Sequence, residues 1–454
     1  MISEGRTGEA SARSAITNLM NTIMGAGMLA MPYGIKANGM VLGVFVIAFS
    51  AFCSGFGLYL QGVCSRYVPP GQASFFSLSQ LTYPQLGVVF DLAIAVKCFG
   101  VGISYLVVIG DLMPKITESL LNETYLESHS LFLNRNFWIS VFMVVVVPLS
   151  FLRKLDSLKY ASMVALSSVA YLVVLVVVHF ASGDVTEKGP VRYFEPKGII
   201  SMLSCFPIFV FSYTCHQNMF SLVNELKDKS ASNINKVIQT GIGSAMVLYI
   251  LVGVTGYSTF GDNVGGNIIV MYPHSVSSTI GRIAIVILVT LSYPLQCHPC
   301  RASTNHVLHY FQKSKAGESL SRSWSRSTGS SATNHVQETR ALIFAADEDE
   351  DAEEGASGSA AVSLGTAKFV VITTIILIGS YLVAMTVSSL EHILAFVGST
   401  GSTSISFILP GIFGYKLLGE ENRWLKRAAL ALSIWGVVVM LLCLSATLFL
   451  GAKH

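Results

Sequence analysis

Long apolar runs separated by short polar connections occupy most of this 454-residue chain. An α-helix needs about 17–25 mostly apolar residues to cross a bilayer. Eleven runs approach or reach this length and predict eleven transmembrane helices, which we number as spans one to eleven. They cover 16–35, 39–63, 87–113, 137–152, 158–180, 199–220, 235–259, 277–297, 367–389, 393–415 and 429–451. Only residues 153–157 separate the short fourth span from the fifth, so one long helix is an alternative there.

Composition agrees with an all-α integral membrane protein. Hydrophobic residues make up 52% of the chain and charged residues only 12%, whereas soluble domains carry about 25% charged residues. The formal net charge is +3, from 29 basic and 26 acidic residues, so it gives no indication of a nucleic-acid partner. The partner that this composition predicts is membrane lipid around the helices.

The distribution of Lys and Arg predicts which face of the membrane each loop occupies. If the tail 1–14 is cytosolic, 20 of the 29 Lys and Arg residues fall on the cytosolic side, in agreement with the positive-inside rule. The sequon that begins at Asn122 then lies on the other side, where N-glycosylation takes place, so Asn122 is a candidate glycosylation site.

A polar segment divides the spans into two blocks. Residues 15–301 hold spans one to eight, and residues 367–454 hold spans nine to eleven. The segment 302–366 between them is rich in Ser and acidic residues, including the acidic run 347–354. This composition predicts a disordered cytosolic loop. It is a candidate site for a cytosolic regulatory partner, and the alternative is a tolerated spacer.

The first span is interrupted at its centre by polar residues and glycines. Its middle reads Asn21-Thr22-Ile23-Met24-Gly25-Ala26-Gly27-Met28. A helix break in hydrocarbon leaves backbone groups without partners, so it is tolerated only where it is buried in protein or lines a cavity. The sequence therefore predicts a broken helix that lines a cavity.

The sixth span carries a second interruption. Pro207 removes a helical hydrogen bond, and the polar cluster 212–218 lies too deep to be a simple helix end. Taken alone, this span also fits a proline kink with polar residues packed between helices. Broken helices at the first and sixth positions, however, are typical of an inverted-repeat secondary transporter with a midplane site.

Motifs with enzymatic or metal-binding meaning are weak. Gly25 to Ala30 fits G-x-G-x-x-A, but it lies inside a span rather than after a strand. Cys297 and Cys300 have metal-ligand spacing but no second ligand pair. We expect no enzymatic activity, no metal and no cofactor, so energy for transport comes from an ion gradient.

Three segments resemble a known family. Residues 18–32 resemble the N-terminal signature of the amino acid/auxin permease family, which includes sodium-coupled neutral amino acid transporters, and 209–218 are similar to its sixth helix. Residues 292–301 resemble the branch of fungal vacuolar transporters that export amino acids to the cytosol. The resemblance covers the eleven spans but not the loop 302–366. It implies a LeuT-type 5+5 inverted-repeat core with an eleventh transmembrane helix, in a vacuolar (lysosome-like) membrane.

The resemblance also implies a substrate site at the two breaks. Freed amides around Gly25 to Gly27 are expected to bind a substrate carboxylate at the positive end of a half-helix. Freed carbonyls of the sixth span are expected to accept hydrogen bonds from the ammonium group. The candidate substrate-binding residues are Thr22, Gly25, Ala26, Gly27, Met28, Phe209, Phe211 and Ser212.

The coupling ion, H⁺ or Na⁺, stays open at this point. In sodium-coupled relatives the ion lies between the first and eighth helices, and the matching positions are Asn21 with Thr290 or Ser292. His216 is a candidate proton carrier, because the unperturbed pKa of histidine, about 6.5, suits an acidic lumen. The other candidates to carry a proton are Asp91, Asp111 and Glu391, which lie near the ends of predicted spans, and Lys97, which lies deeper.

The expected function is symport of neutral amino acids with protons from the vacuole lumen to the cytosol. Neutral substrates are favoured because neither broken segment contains a charged residue. Two alternatives remain. The first is a non-transporting amino acid sensor of the same fold, and the second is a sodium-coupled importer of the plasma membrane.

Overall fold

The computed structural model describes residues 10–121, 130–152, 159–325 and 365–451. Their secondary structure is helical apart from one isolated bridge between Ala10 and Leu226. Among these residues, nine helices are long and apolar enough to cross a membrane. The other two predicted spans are the 16-residue helix Arg135–Ser150 and the broken first span. The prediction of an all-α membrane fold is confirmed.

Eight spans contain one main α-helix each, and three are interrupted. The eight helices are Met40–Cys64, Gly87–Leu120, Arg135–Ser150, Lys159–Ser182, Ala231–Phe260, Val276–Ser325, Thr366–Thr386 and Arg423–Gly451. The first span comprises three helices, Ala12–Ile23, Ala26–Leu29 and Met31–Asn38, and the sixth comprises two, Ile199–Ser212 and Met219–Glu225. The tenth span comprises the helices Leu390–Val397 and Leu409–Leu417, which are joined by π-helical turns at Gly398–Ser402 and Ser404–Ile408. Short helices in the connections are Phe75–Thr82 and Ile268–Met271.

Both predicted breaks are present, and local sequence accounts for them. The first helix ends at Ile23, and Gly25 has an extended φ of −146° before the chain becomes helical again at Ala26. In the sixth span the helix contains Pro207 and ends at Ser212, before three non-helical residues.

The structure decides between the two alternatives for the fourth span and moves the end of the eighth. The fourth span ends at Ser150, just after Pro148, so it is not the start of one long helix with the fifth span. The eighth span continues as helix to Ser325, beyond the predicted start of the loop at 302. This extension lacks proline, and its beginning packs onto the protein, since His306 Nδ1 lies 3.3 Å from the Asp91 carboxylate. The remainder of the predicted loop, 326–364, lies outside the described residues.

Connections that were predicted to share a membrane face contact one another. On the predicted luminal face, Arg192 donates hydrogen bonds to the carboxylate of Asp262, at 2.8 and 2.9 Å, and to the carbonyl of Lys36. On the opposite face the amide of Ala10 donates to the carbonyl of Glu225 at 3.0 Å. This pairing of loops agrees with eleven alternating spans. The sequon residue Asn122 lies outside the described residues.

Candidate functional site

The two broken spans cross where Gly27 meets Ser212. A Cβ atom at Gly27 would lie 2.8 Å from the Cβ and 2.9 Å from the Cα of Ser212, closer than real Cβ atoms approach. Only a residue without a side chain therefore allows this crossing.

A small cavity lies beside this crossing. Its volume is about 20 Å³, and a cavity of about 10–15 Å³ already admits one water molecule. This volume is too small for an amino acid, so neighbouring side chains must move before one can enter. The lining residues are Thr22, Ile23, Gly25, Ala26, Gly27, Lys97, Val101, Tyr105, Phe211, Thr214 and Gln296.

Five of the eight predicted substrate-binding residues line this cavity: Thr22, Gly25, Ala26, Gly27 and Phe211. The other three lie around it. Met28 is buried in the hydrophobic core. The ring of Phe209 packs on the backbone of Gly34, where an added Cβ would lie 2.8 Å from ring atom Cε1. The hydroxyl of Ser212 donates to the carbonyl of Ile208 at 2.7 Å.

The third span contributes residues that sequence reasoning did not assign to the substrate site. Lys97, Val101 and Tyr105 follow one another at a spacing of four, so they share one face of the helix Gly87–Leu120. Lys97 is only 2% exposed, and it brings a cationic side chain to a cavity whose two broken segments have none. A charge in the middle of an apolar run was the available signal. Val101 and Tyr105 carried no signal that separates them from ordinary core residues.

Polar contacts connect the two broken spans on the predicted cytosolic side of the cavity. The side-chain amide of Asn218 donates to Thr22 Oγ1 at 3.1 Å, and the Thr22 hydroxyl donates to the carbonyl of Asn18 at 2.9 Å. The backbone pairing of Ala10 with Glu225 lies on the same side. These contacts join the two broken spans at this end of the site.

On the opposite side a wider vestibule opens between the first, sixth and tenth spans. Its volume is about 210 Å³. Charged residues from three elements line it, namely Lys36, Lys197 and Glu391. The amine of Lys36 donates to the carbonyl of Val264 at 2.7 Å, which fixes this side chain at the rim.

Of the sodium-coupling candidates, Thr290 is buried, Asn21 and Ser292 are half-buried, and none of the three lines the cavity. Neither polar atom of the Asn21 side chain has a hydrogen-bond partner within the described part of the chain. The hydroxyl of Thr290 donates to the carbonyl of Val286 at 2.7 Å, and Ser292 is half-buried. The residue that the eighth span contributes to the cavity is Gln296. A role for Asn21, Thr290 or Ser292 in ion binding stays a prediction.

The proton-carrier candidate His216 is fully buried where the second, sixth and tenth spans meet. Its Nε2 lies 3.1 Å from the carbonyl of Ser54, so Nε2 carries a proton and donates. Its Nδ1 lies 3.1 Å from the hydroxyl of Ser406. That hydroxyl is 3.2 Å from Oγ1 of Thr214, which lines the cavity. One hydroxyl therefore connects His216 to the candidate site.

Paired broken helices that enclose a central cavity define a class of protein, the inverted-repeat secondary transporters. Solved structures agree at the level of fold. The structure of MhsT in complex with L-phenylalanine superposes with a TM-score of 0.57 at 13% sequence identity, over 98% of this chain and 99% of that chain. Inward-facing Mhp1 gives a TM-score of 0.59 at 12% identity, over 98% and 92% of the two chains.

Sequence comparison then gives the family. The profile described as "Transmembrane amino acid transporter protein" matches residues 8–451, and the chain belongs to this family. Vacuolar amino acid transporter 6 of Saccharomyces cerevisiae is 46% identical, over 97% of this chain and 100% of that protein. Vacuolar amino acid transporter 5 of Schizosaccharomyces pombe is 42% identical, over 96% and 94%. Sodium-coupled neutral amino acid symporter 2 of Danio rerio is 24% identical, over 91% and 77%.

Family membership confirms the resemblance to the amino acid/auxin permeases and the LeuT-type fold. It also confirms that the chain is a transporter and not an enzyme, with amino acids as the substrate class. In the part of the chain that the structure describes, no three His, Cys, Asp or Glu side chains come together as a metal site.

Proposed function

We propose that this chain is a proton-coupled secondary transporter that moves neutral amino acids from the lumen of a vacuole to the cytosol. The observation that carries the proposal is the single cavity lined by Gly25 to Gly27 of the first span and by Phe211 and Thr214 of the sixth. The vacuolar membrane is inferred from relatives that are named vacuolar amino acid transporters and are 46% and 42% identical.

The cavity is bordered by hydrogen-bond donors for the carboxylate of an amino acid and by acceptors for its ammonium group. Backbone amides at the break, around Gly25 to Gly27, would bind the carboxylate. Carbonyls at the C-terminal ends of Ala12–Ile23 and Ile199–Ser212 would accept hydrogen bonds from the ammonium group, because the last carbonyls of a helix have no partner within it. Phe211 and Val101 supply apolar surface for a neutral side chain.

Lys97 adds a physical reason to exclude cationic amino acids. A buried ammonium beside the substrate side chain repels a second positive charge, and the low-dielectric surroundings screen that repulsion weakly. Sequence alone favoured neutral substrates because the broken segments lack charge. The position of Lys97 supports the exclusion of Arg and Lys substrates on a different basis.

The two ends of the site differ in how the broken spans contact each other. Contacts such as Asn218 to Thr22 join the broken spans at the predicted cytosolic end, and the vestibule at Lys36 and Lys197 lies on the predicted luminal side. Release into the cytosol would then require the separation of Asn218 from Thr22.

The test is transport by the purified protein in liposomes. Vesicles are loaded with labelled leucine, glutamine or arginine, and proton and sodium gradients are imposed separately. We expect leucine or glutamine flux that a protonophore abolishes and that sodium removal leaves unchanged. Flux that survives the protonophore but stops without sodium would overturn the proton coupling. Saturable binding without flux would indicate a sensor instead.

A further inference from the structure

The seventh span places one tyrosine hydroxyl between the two broken helices. The side chain of Tyr249 is fully buried. Its hydroxyl oxygen lies 2.7 Å from the carbonyl oxygen of Ile23 and 2.9 Å from that of Ser212. The ring packs edge-on against Tyr213, at 5.1 Å between centroids, which holds Tyr249 at this position.

The two carbonyls have the same structural origin. Ile23 is the last residue of the helix Ala12–Ile23, and Ser212 is the last residue of Ile199–Ser212. The final carbonyls of a helix lack intrahelical donors, and a helix C-terminus carries a partial negative charge of roughly half an elementary charge. Two such ends converge on one point of a buried region. Convergence of this kind requires either a hydrogen-bond donor or a cation.

We infer that Tyr249 is a positioning residue that joins the break of the first span to the break of the sixth, and that its hydroxyl proton occupies the place of a bridging monovalent cation. This inference rests on the proposed amino acid site at the same breaks. The Tyr249 hydroxyl has one proton, so it satisfies one carbonyl fully and leaves the other with acceptor capacity. The remaining capacity is available to the substrate ammonium group.

The variant Tyr249→Phe tests this inference, because it removes the hydroxyl and keeps the ring that packs on Tyr213. In vesicles free of alkali-metal ions, with N-methylglucamine as the cation and a fixed proton gradient, we expect the KM for leucine to rise at least tenfold. Sodium at about 100 mM should then lower the KM of the variant at least threefold, because the converging carbonyls can bind the ion. The KM of the wild type should change less than twofold.

The matched control is Tyr293→Phe. Tyr293 is also fully buried, and its hydroxyl contacts the hydroxyl of Ser380 between the eighth and ninth spans, away from both breaks. The KM of Tyr293→Phe for leucine should stay within threefold of the wild-type value with or without sodium. A KM rise in Tyr249→Phe that sodium reverses supports the inference. A KM within threefold of the wild type, or a rise that sodium leaves unchanged, overturns it.

A second measurement does not depend on transport. Amide hydrogen exchange in 21–28 and 209–216 is compared between the two variants without substrate. We expect faster exchange in both segments for Tyr249→Phe, and slower exchange again when sodium is added. Equal exchange in the two variants would overturn the inference. If the wild type shows no flux at all, the proposed transport function fails, and the exchange experiment alone decides the role of Tyr249.

Discussion

Gly27→Ala is the smallest change that tests whether the crossing of the broken spans forms the substrate site. The new methyl group would lie 2.8 and 2.9 Å from the Cβ and Cα of Ser212, so the two spans must separate. Overpacking of this kind costs about 1–3 kcal/mol. Where this cost falls on the arrangement of the two spans that binds substrate, it corresponds to roughly a 5- to 150-fold loss of affinity, at about 1.4 kcal/mol per tenfold change. The expected loss of affinity comes from close packing and not from backbone strain, because Gly27 lies in a helical turn and is not one of the glycines with positive φ.

The assay compares leucine KM and thermal stability in detergent with two control variants. In Gly436→Ala the added Cβ would lie 2.7 Å from Cγ1 of Ile408 and 2.9 Å from Cβ of Phe407, so it also overpacks, but between the tenth and eleventh spans. In Gly55→Ala the Cβ meets Ile242 at an ordinary 3.7 Å. We expect Gly27→Ala to raise the KM at least fivefold, Gly436→Ala to lower only stability, and Gly55→Ala to change neither. A Gly27→Ala protein with a KM within twofold of the wild type would refute the assignment of this crossing to the substrate site.

Three further predictions concern charge and coupling. Lys97→Met should raise the ratio of arginine to leucine uptake by up to about 100-fold. Two unit charges about 6 Å apart at an effective dielectric constant of 20 repel by about 3 kcal/mol, and the variant removes this repulsion. An unchanged ratio would contradict the proposed exclusion of cationic substrates by Lys97. Asn21→Ala should leave proton-driven leucine flux within about threefold of the wild type. A loss of flux in this variant that excess sodium restores would instead favour a sodium site at Asn21. Partial burial opposes ionisation of Asp262, but hydrogen bonds from Arg192 and Tyr257 lower the pKa of its carboxyl. The ion pair therefore stabilises the protein above the ordinary carboxyl pKa of about 3.9 and loses its effect as the pH falls through the lowered value. The Tm deficit of Arg192→Gln should be equal at pH 7 and pH 5 and shrink below about pH 4.

The helix breaks could be predicted because they depend on local chemistry. Gly25 and Gly27 in a bilayer-length run, and Pro207 before a polar cluster, indicate interruptions whatever surrounds them. Helix ends are harder to predict when polar sequence continues as helix. The eighth span extends to Ser325 because no proline ends it and because His306 finds a partner in Asp91. Local pattern alone did not show this tertiary contact.

The residues that line the cavity could not all be predicted, because the sequence does not show how each helix is rotated against its neighbours. Phe209 and Phe211 are two residues apart on one helix, so they face different directions, and only Phe211 lines the cavity. Which of the two would do so depended on the rotation of the sixth span against Gly34. In the same way, the face of the third span that carries Lys97 is defined by its packing against the broken helices and not by its own periodicity.

The charges around the closed cavity explain why a proton and a substrate would move together. Lys97 is the charged residue near His216, both are buried, and no carboxylate belongs to the part of the chain that lines the cavity. An unpaired buried charge costs several kcal/mol, so beside the Lys97 ammonium the empty site disfavours a second positive charge, a proton on His216. A bound amino acid brings a carboxylate, which offsets part of that cost. Substrate binding therefore strengthens proton binding, and by thermodynamic reciprocity proton binding strengthens substrate binding by the same factor. On the proposed function, this mutual dependence is the energetic basis of symport.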